Sequence, residues 1–470
     1  MSDSMESLSQ SIKYLSSSLS SYARNRFKIS PSGASSALSP GDQMNFTLPA
    51  QSILDASTLR LVLDVTPTKV GVSTSSAKAI LPPVTDLINS FECYIGGNQV
   101  IAQNQEYSTI QSVYGGLLSN SVDRSLSYGN AVQSAHCLSA NGDKKQSLVW
   151  TAGVGLFAGE ASSTIIPTSL TGDVLLRFTL SNKNVMLGSG TNLDSDVQKM
   201  SFIVNTVYLT IDTLTMGENL LESLLYSRIA ESPDASIPIT YKDHEIFSTR
   251  GEAGDFTHQF SLSTASLNSV CSVLRNGAYT QGGLPLIVGS GKKIGASSPV
   301  DDDVVGSSGY DAERSRFMFF ESFTNDKTSG TGAWTNGPIT SGNLRDFYSV
   351  ANIQYPQFDQ TAIENVCDCF LVRNRHTPSS RGNQIGSLPS WHKGKCVVPL
   401  VLCDPGAPSS MRTGVNTQGS STAISLTVKG IDKGNIETNA PECVGITCTS
   451  ICEVSRVLHI KGNRSVFVER

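Results

Sequence analysis

FTLPAQSILDASTLRLVLDVT, residues 46–66, carries the pattern that decides the fold. Within it Leu59, Leu61, Leu63 and Val65 alternate with Arg60, Val62, Asp64 and Thr66. Successive side chains of an extended chain point to opposite faces, so this period of two places one apolar face against a core and the other toward solvent. A strand of this kind needs further strands beside it and a second layer over it.

Working outward toward the C-terminus, the same signal recurs. LINSFECYIGGNQVIAQ, residues 87–103, predicts two strands joined at Gly96-Gly97-Asn98, where the glycines supply the positive φ angles of a tight hairpin. Ile110, Val113, Tyr114 and Leu117 follow at helical spacing and predict a short helix. SLVWTAGVGLF (147–157) and VLLRFTLS (174–181) read as strands, and Val207, Leu209 and Ile211 alternate with Tyr208, Thr210 and Asp212. Strands at this density with Gly/Ser loops predict a β-sandwich. GENLLESLLYSRIAESPDAS, residues 217–236, then has helical spacing and turn residues, which marks a crossover between domains.

Beyond the crossover the pattern starts again, with strands over 237–247 and 256–262 and an amphipathic turn carrying Leu267, Val270, Cys271 and Leu274. Ile424, Leu426 and Val428 alternate with polar neighbours near the end, as do Val454, Arg456, Leu458 and Ile460. Between these flanks, 276–315 and 324–345 are Gly/Ser/Asn/Asp-rich and too long for hairpins, so they read as projecting loops. The two halves share a pattern and no repeat of identities.

Toward the N-terminus the character changes. Met5, Leu8, Ile12, Leu15, Leu19 and Tyr22 recur at spacings of three and four in a serine background, one apolar stripe on a helix. Serine competes for backbone hydrogen bonds, so this helix holds only if its stripe docks on something. The expected organisation is a helical contact arm over 1–28, a first sandwich over 29–216, a crossover over 217–236 and a second sandwich over 237–470, an all-β protein with short accessory helices.

Composition agrees and excludes other classes. A chain of 470 residues exceeds one ordinary core and fits two. With a formal net charge of −5 it lacks the basic surface that displaces counterions from nucleic acid, so direct nucleic-acid binding is not expected. MSDSMESLSQ has neither the basic nor the apolar region of a signal peptide, and the densest apolar run, CVVPLVLC at 396–403, is too short to span a bilayer. A soluble product made in the cytosol is the expectation.

The fragments that look catalytic fail on spacing. His244-Glu245 opens a zinc-protease helix, but Ser248 stands where the second histidine is required. GSGKKIG at 289–295 misses the P-loop pattern at Leu286 and Lys293, and misses the dinucleotide pattern at Ile294. Asp301, Asp302 and Asp303 lack calcium-loop spacing. Seven of the ten cysteines lie within 367–452, and Cys396, Cys403, Cys443, Cys448, Cys452 and His392 are a candidate metal set, but the local spacings, C-x-C, C-x6-C, C-x4-C and C-x3-C, do not make the separate paired knuckles by which zinc sites announce themselves. Reduced, buried cysteines are expected, with no metal, cofactor or catalytic residue assigned.

The order of segments resembles the double jelly-roll major capsid proteins, especially those of virophages, polinton-like viruses and their relatives among tailless phages and large eukaryotic DNA viruses. The similarity lies in FTLPAQSILDASTLRLVLDVT, in FECYIGGNQVIAQNQEYSTIQSVYGGLL (91–118), in SLVWTAGVGLFAGEASSTIIPTSLTGDVLLRFTL (147–180) and in VNTVYLTIDTL (204–214). In the second half FSLSTASLNSVCSVLRN (260–276), as a strand-to-helix passage, and CEVSRVLHIKGNRSVFV (452–468) are similar. The resemblance implies a structural protein of the virion, not an enzyme, with two jelly rolls standing roughly perpendicular to the shell. It implies three chains in a pseudo-hexagonal capsomer of an icosahedral DNA virus. Penton and minor capsid proteins are expected partners beside neighbouring capsomers, and the apolar stripe of the arm is expected to bind a neighbouring capsomer, a minor protein or an internal membrane.

Rival readings are another virion protein such as a vertex or spike component, a carbohydrate-binding β-sandwich protein, and a hydrolase on a sandwich scaffold. Stoichiometry in the virion separates the first, a signal peptide would accompany the second, and a convergent triad would mark the third.

Overall fold

In the computed structural model the described residues are 22–69, 78–114, 145–189, 200–216, 227, 236–276, 286–287, 345–365, 397–429 and 446–469, apart from 34–36, 51, 82–83, 104–105, 112, 153–154, 159–160, 162, 186, 252–254, 362–363, 405–411, 419–421 and 462–464. Strands dominate. The first half contains β1 (Tyr22–Ile29), β2 (Gln43–Thr47), β3 (Ile53–Lys69), β4 (Lys78–Ile80), β5 (Ile88–Ile95), β6 (Asn98–Gln103), β7 (Gln146–Thr151), β8 (Ile165–Pro167), β9 (Val174–Leu180), β10 (Leu187–Ser189) and β11 (Met200–Met216). The second contains β12 (Ser236–Gly251), β13 (Phe256–Ser261), β14 (Leu267–Asn276), β15 (Leu286–Ile287), β16 (Arg345–Val350), β17 (Ile353–Thr361), β18 (Val397–Val401), β19 (Ala423–Lys429), β20 (Ile446–Lys461) and β21 (Val466–Glu469).

The first half forms two antiparallel sheets, β1-β11-β3-β7 and β2-β9-β5-β6, and the second forms β12-β20-β14-β18 and β13-β19-β16-β17. When the short β4, β8, β10, β15 and β21 are set aside, each half has eight strands among the described residues. Their spatial order is the same in both, first-eighth-third-sixth in one sheet and second-seventh-fourth-fifth in the other. That is the eight-stranded, two-sheet arrangement of a jelly roll.

The alternation that starts in residues 46–66 does the work expected of it. Leu59, Leu61, Leu63 and Val65 are buried, and on β7 Trp150 meets Phe91 of β5 and Phe178 of β9 at centroid separations of 5.5 and 5.2 Å. Each fully buried side chain of this size stabilises the fold by about 1.5–3 kcal/mol. In the second sandwich Phe247 of β12 stacks on Phe260 of β13 at 4.6 Å. There the Tyr348 hydroxyl donates to the Val398 carbonyl (2.7 Å) and shares a bond with Ser272 Oγ (2.7 Å). Apolar packing is continuous between the halves, since Ile239, Tyr241, Cys271, Val273, Ile451, Leu458 and Ile460 join the core of the first sandwich.

The hairpin at Gly96-Gly97 forms as read, with φ of +56° and +81°. Its counterpart between β16 and β17 uses Ala351 and Asn352 at φ of +51° and +66°. The short helix read from Ile110, Val113, Tyr114 and Leu117 is present as a turn at Tyr107–Ile110 continued by a wider turn; Ile110, Val113 and Tyr114 are buried, and Leu117 lies outside the described residues.

Two expectations need correction. The helical arm read over 1–28 does not reach residue 28: Tyr22–Ile29 is strand β1, paired residue by residue with β11 from Tyr22↔Met216 to Ile29↔Leu209. Residues 23–28 are exposed on both faces, so an edge strand here shows no apolar alternation for sequence reading to detect. The amphipathic turn read from Leu267, Val270, Cys271 and Leu274 is likewise strand β14. It runs between β20 and β18 with residues 267–274 all buried, and burial on both faces erases the period of two.

Candidate functional site

Strand direction gives each sandwich two unlike ends. Neighbours within all four large sheets are antiparallel, so consecutive strands run up and down alternately. At one end of the first sandwich leave the connections 30–42, 70–87, 104–145 and 181–199; at the other, only 48–52, 96–97 and 152–173. The second sandwich repeats this asymmetry, with 252–255, 277–344, 362–396 and 430–445 at one end and 262–266, 351–352 and 402–422 at the other. β4 and β10 belong to long connections of the first sandwich and β15 to the longest of the second, and the three pair as one small sheet. The two long-connection ends therefore lie side by side. Most of 276–315 and of 324–345 falls outside the described residues.

The opposite end receives the chain termini. Tyr22, Met216, Ser236 and Lys461 are joined there by the pairs Tyr22↔Met216 and Ser236↔Lys461, so residues 1–21 attach at the short-connection end. Of the residues expected to make assembly contacts, Met5, Leu8, Ile12, Leu15 and Leu19 lie outside the described residues, and Tyr22 is the first residue of β1. Arg24 and Arg26 of β1 are engaged by carboxylates: Asp212 accepts from Arg24 Nε and Arg26 Nε at 2.7 Å each, and Asp55 accepts from Arg24 at 2.9 Å. The Arg26 hydrogen bond, reinforced by Arg24, holds the Asp212 carboxyl below its ordinary range despite its burial. Lys28 lies over the Tyr208 ring at 4.0 Å.

The junction between the sandwiches concentrates the buried polar chemistry. Tyr241 of β12 donates to the Val100 carbonyl of β6 at 2.8 Å, and burial pushes its phenol well above its usual pKa. Tyr114 meets the His244 ring edge-on at 4.9 Å. At the short-connection end Asn98 donates to the Val466 carbonyl at 2.5 Å, which fastens β21 to the first hairpin. A Cβ at Gly96 would sit 2.7 Å from the Thr171 carbonyl, so this close approach needs glycine. Arg456 is buried and ion-paired with Asp243 and Glu245; burial disfavours its charge, but the two carboxylates outweigh that and raise its pKa. Buried Glu453 accepts from Asn268 at 3.2 Å, with Lys242 at 4.0 Å. Sequence reading missed this cluster because its partners are 211 and 213 positions apart in the chain.

Among the described residues, the catalytic-looking fragments do not converge. Glu245 spends its charge on Arg456, and His244 sits on a strand, not a helix. Cys271, Cys448 and Cys452 are buried thiols outside any disulfide, and burial raises the Cys452 pKa. His392, Cys396, Cys443, the triple aspartate and the GSGKKIG segment lie outside the described residues. Ser236, His459 and Glu469 do adjoin, at 2.9 and 3.1 Å. However, Nδ1 faces the serine and Nε2 the acid, the reverse of a hydrolytic triad, and the chain ties β21 to β12.

No protein-family description matches the chain, and no curated protein matches it in sequence. Solved structures do. The PBCV-1 protein VP54, fitted into a reconstruction of the virophage Sputnik, superposes with a TM-score of 0.58 at 11% identity over 96% of this chain and 97% of its own. The PBCV-1 virus capsid model gives 0.56 at 11% identity, with 96% and 97% covered. The fold is the double jelly roll of viral capsid proteins. The Faustovirus major capsid protein extends the likeness at a TM-score of 0.52 and 9% identity, over 94% of this chain and 91% of its own.

Proposed function

We propose that the protein is the major capsid protein of an icosahedral DNA virus, acting by assembly and not by catalysis. Three copies close into a pseudo-hexagonal capsomer, and capsomers tile the virion shell after synthesis in the host cytosol. The observation that carries this reading is the pair of identically ordered sandwiches with their long connections leaving at the same end, in a fold shared with the PBCV-1 capsid protein and the Faustovirus major capsid protein. The long connections, including 276–315 and 324–345, form the outward crown, where their polarity permits exposure without aggregation. The short-connection end faces inward.

From that inner end the segment 1–21, carrying Met5, Leu8, Ile12, Leu15 and Leu19, reaches a neighbouring capsomer, a penton or minor capsid protein, or an internal membrane. Size-exclusion chromatography with light scattering tests the oligomer. Three times the 50.0 kDa chain gives about 150 kDa, and a species of one chain's mass at micromolar concentration would overturn the trimer. Changing Leu8, Ile12 and Leu15 to Ser is expected to leave trimers intact while lowering particle yield; undiminished yield would refute the contact arm.

A further inference from the structure

At the junction, Lys242, Asn268 and Glu453 bring together a nucleophile, a carboxamide and a proton carrier. Lys242 of β12 and Glu453 and Ser455 of β20 share the face that looks toward the first sandwich, because Lys242↔Ser455 and His244↔Glu453 are direct pairs and Tyr114 of the first sandwich meets His244. Asn268 of β14 is the extra residue of a bulge between the pairs Leu267↔Val454 and Ser269↔Glu453. A bulge re-aims a side chain, and this one delivers the amide to Glu453 and Ser455. Glu453 Oε1 accepts from Asn268 Nδ2 at 3.2 Å and lies 4.0 Å from Lys242 Nζ, so one carboxylate oxygen gathers both nitrogens. Ser455 Oγ also accepts from Nδ2, at 2.8 Å. The amide oxygen accepts from Ser266 Oγ at 3.1 Å, and that hydroxyl is oriented by the Gly414 backbone N–H, which donates to it at 3.1 Å. A Cβ at Gly414 would sit 2.6 Å from Ser266 Oγ, so the approach needs glycine. The site is dry: Glu453 and Asn268 are buried, and the Lys242 side chain is 15% exposed.

We propose that Lys242 and Asn268 become joined by an amide bond made within the folded chain, with Glu453 carrying the proton. Neither charge of a buried lysine–carboxylate pair is well solvated, so the pair can neutralise itself by passing one proton from Nζ to Oε1. The free amine then attacks Asn268 Cγ, for which the flexible lysine stem must bring Nζ to about 3–3.5 Å. The Nζ–Cγ bond forms, and negative charge gathers on Oδ1, where the Ser266 hydroxyl donates. Glu453 gives its proton to Nδ2, the Cγ–Nδ2 bond breaks, and ammonia leaves. The carboxylate takes the surplus proton from Nζ and yields it to the ammonia, which departs as ammonium. No oxidant, metal or second substrate is consumed. The event occurs once per chain, so it is maturation and not turnover, and it does not depend on the trimer. The product ties β12 to β14 across β20. A plain lysine–glutamate pair would account for two of the three residues. It would leave Asn268, lifted onto this face by a bulge and polarised at Oδ1 by an oriented hydroxyl, without a role.

Mass spectrometry of the full-length chain, denatured after purification, tests the bond. Wild-type protein should be lighter than its sequence requires by one molecule of ammonia. Lys242→Arg, which keeps the positive charge, and Glu453→Gln, each shown to be folded by circular dichroism, should have the full mass of their sequences. In a tryptic digest of wild-type protein the chain should resist cleavage after Lys242, and the peptides carrying Lys242 and Asn268 should be recovered as one branched species. That species places the loss on these two side chains and not on another asparagine. Separate, unmodified Lys242 and Asn268 peptides from wild-type protein would overturn the bond and leave an ion pair beside a hydrogen-bonded amide. This result is read on wild-type protein, so it decides the matter even if a variant does not fold. A branched species of equal yield from folded Glu453→Gln would overturn the role given to Glu453.

Discussion

The β12-β20-β14-β18 and β1-β11-β3-β7 sheets share a strand order and differ in what lies on their outer faces. The first is sealed by the neighbouring sandwich and carries Ile246, Ile451 and Cys271 in the row where the second carries Tyr208, Val62 and Val149 beside Lys28, Arg60 and Asp64. One topology therefore supports both an internal junction and a face left uncovered among the described residues, and the choice lies in the side chains of alternate positions. A sealed face can hold small apolar residues and thiols, whereas an open one must stay soluble until it is covered.

The buried ion cluster should show the contrast at its largest. Replacing Arg456 by Met strands the buried Asp243 carboxylate, and breaking one partner of a buried pair costs about 3–5 kcal/mol. The exposed counterpart, Arg26→Gln, leaves Asp212 with Arg24 and should barely move the urea midpoint. A combined Arg456→Met and Asp243→Leu variant should regain most of the loss, since the stranded charge is then gone. Equal losses for Arg456→Met and Arg26→Gln would show that the two sheets are not differently buried.

Next in size are the apolar rows. Ile451→Ala opens a cavity between the sandwiches and should cost about 2–5 kcal/mol in chemical denaturation. Val149→Ala, on the open face, should stay within about 0.5 kcal/mol for the isolated chain. Any larger Val149 effect should appear only at concentrations where copies associate.

Acid should separate the sandwiches again. His258 is buried on β13 between strand neighbours that include Phe260, and burial lowers its pKa from 6.5, an effect that the nearby Phe247 backbone partly offsets. In the first sandwich the inward residues of β2 are Met44 and Phe46. Below pH 6.5 the unfolded chain takes up a proton that the folded second sandwich refuses, so stability falls as pH falls, by up to about 1.4 kcal/mol per pH unit. Asp212, whose pKa is already below its usual 3.8, contributes nothing to this window. The variant His258→Met should flatten the dependence between pH 6.5 and 5; an unchanged slope would assign the acid sensitivity to other groups.

These contrasts also explain what the sequence could and could not reveal. Strands with one wet face, such as β3, β9 and β19, announce themselves through alternation, and the Gly96-Gly97 hairpin does so through the positive φ it needs. β14 was hidden because both of its faces are buried, and β1 because both are exposed, so neither carries a period of two. The junction cluster was invisible since Arg456 meets Asp243 only after two sandwich strands pair.

The smallest expected effect lies in the two hairpins that close the fourth and fifth strands. Gly96 and Ala351 both sit at positive φ, but Gly96 is pressed against the Thr171 carbonyl and Ala351 already carries a Cβ. A non-glycine residue in this conformation costs about 1–2 kcal/mol, while glycine loses about 0.5–1 kcal/mol more chain freedom on folding. The balance predicts that Ala351→Gly stabilises the second sandwich by about 0.5–1 kcal/mol, a rise of a few degrees or less in its melting temperature. Gly96→Ala should do the opposite and by more, because its methyl group collides with backbone as well as straining φ. Calorimetry on both variants decides whether the hairpins are equivalent in conformation alone. A loss of stability in Ala351→Gly would mean that the Ala351 methyl group is itself packed, and that the second hairpin, like the first, is held by a neighbour.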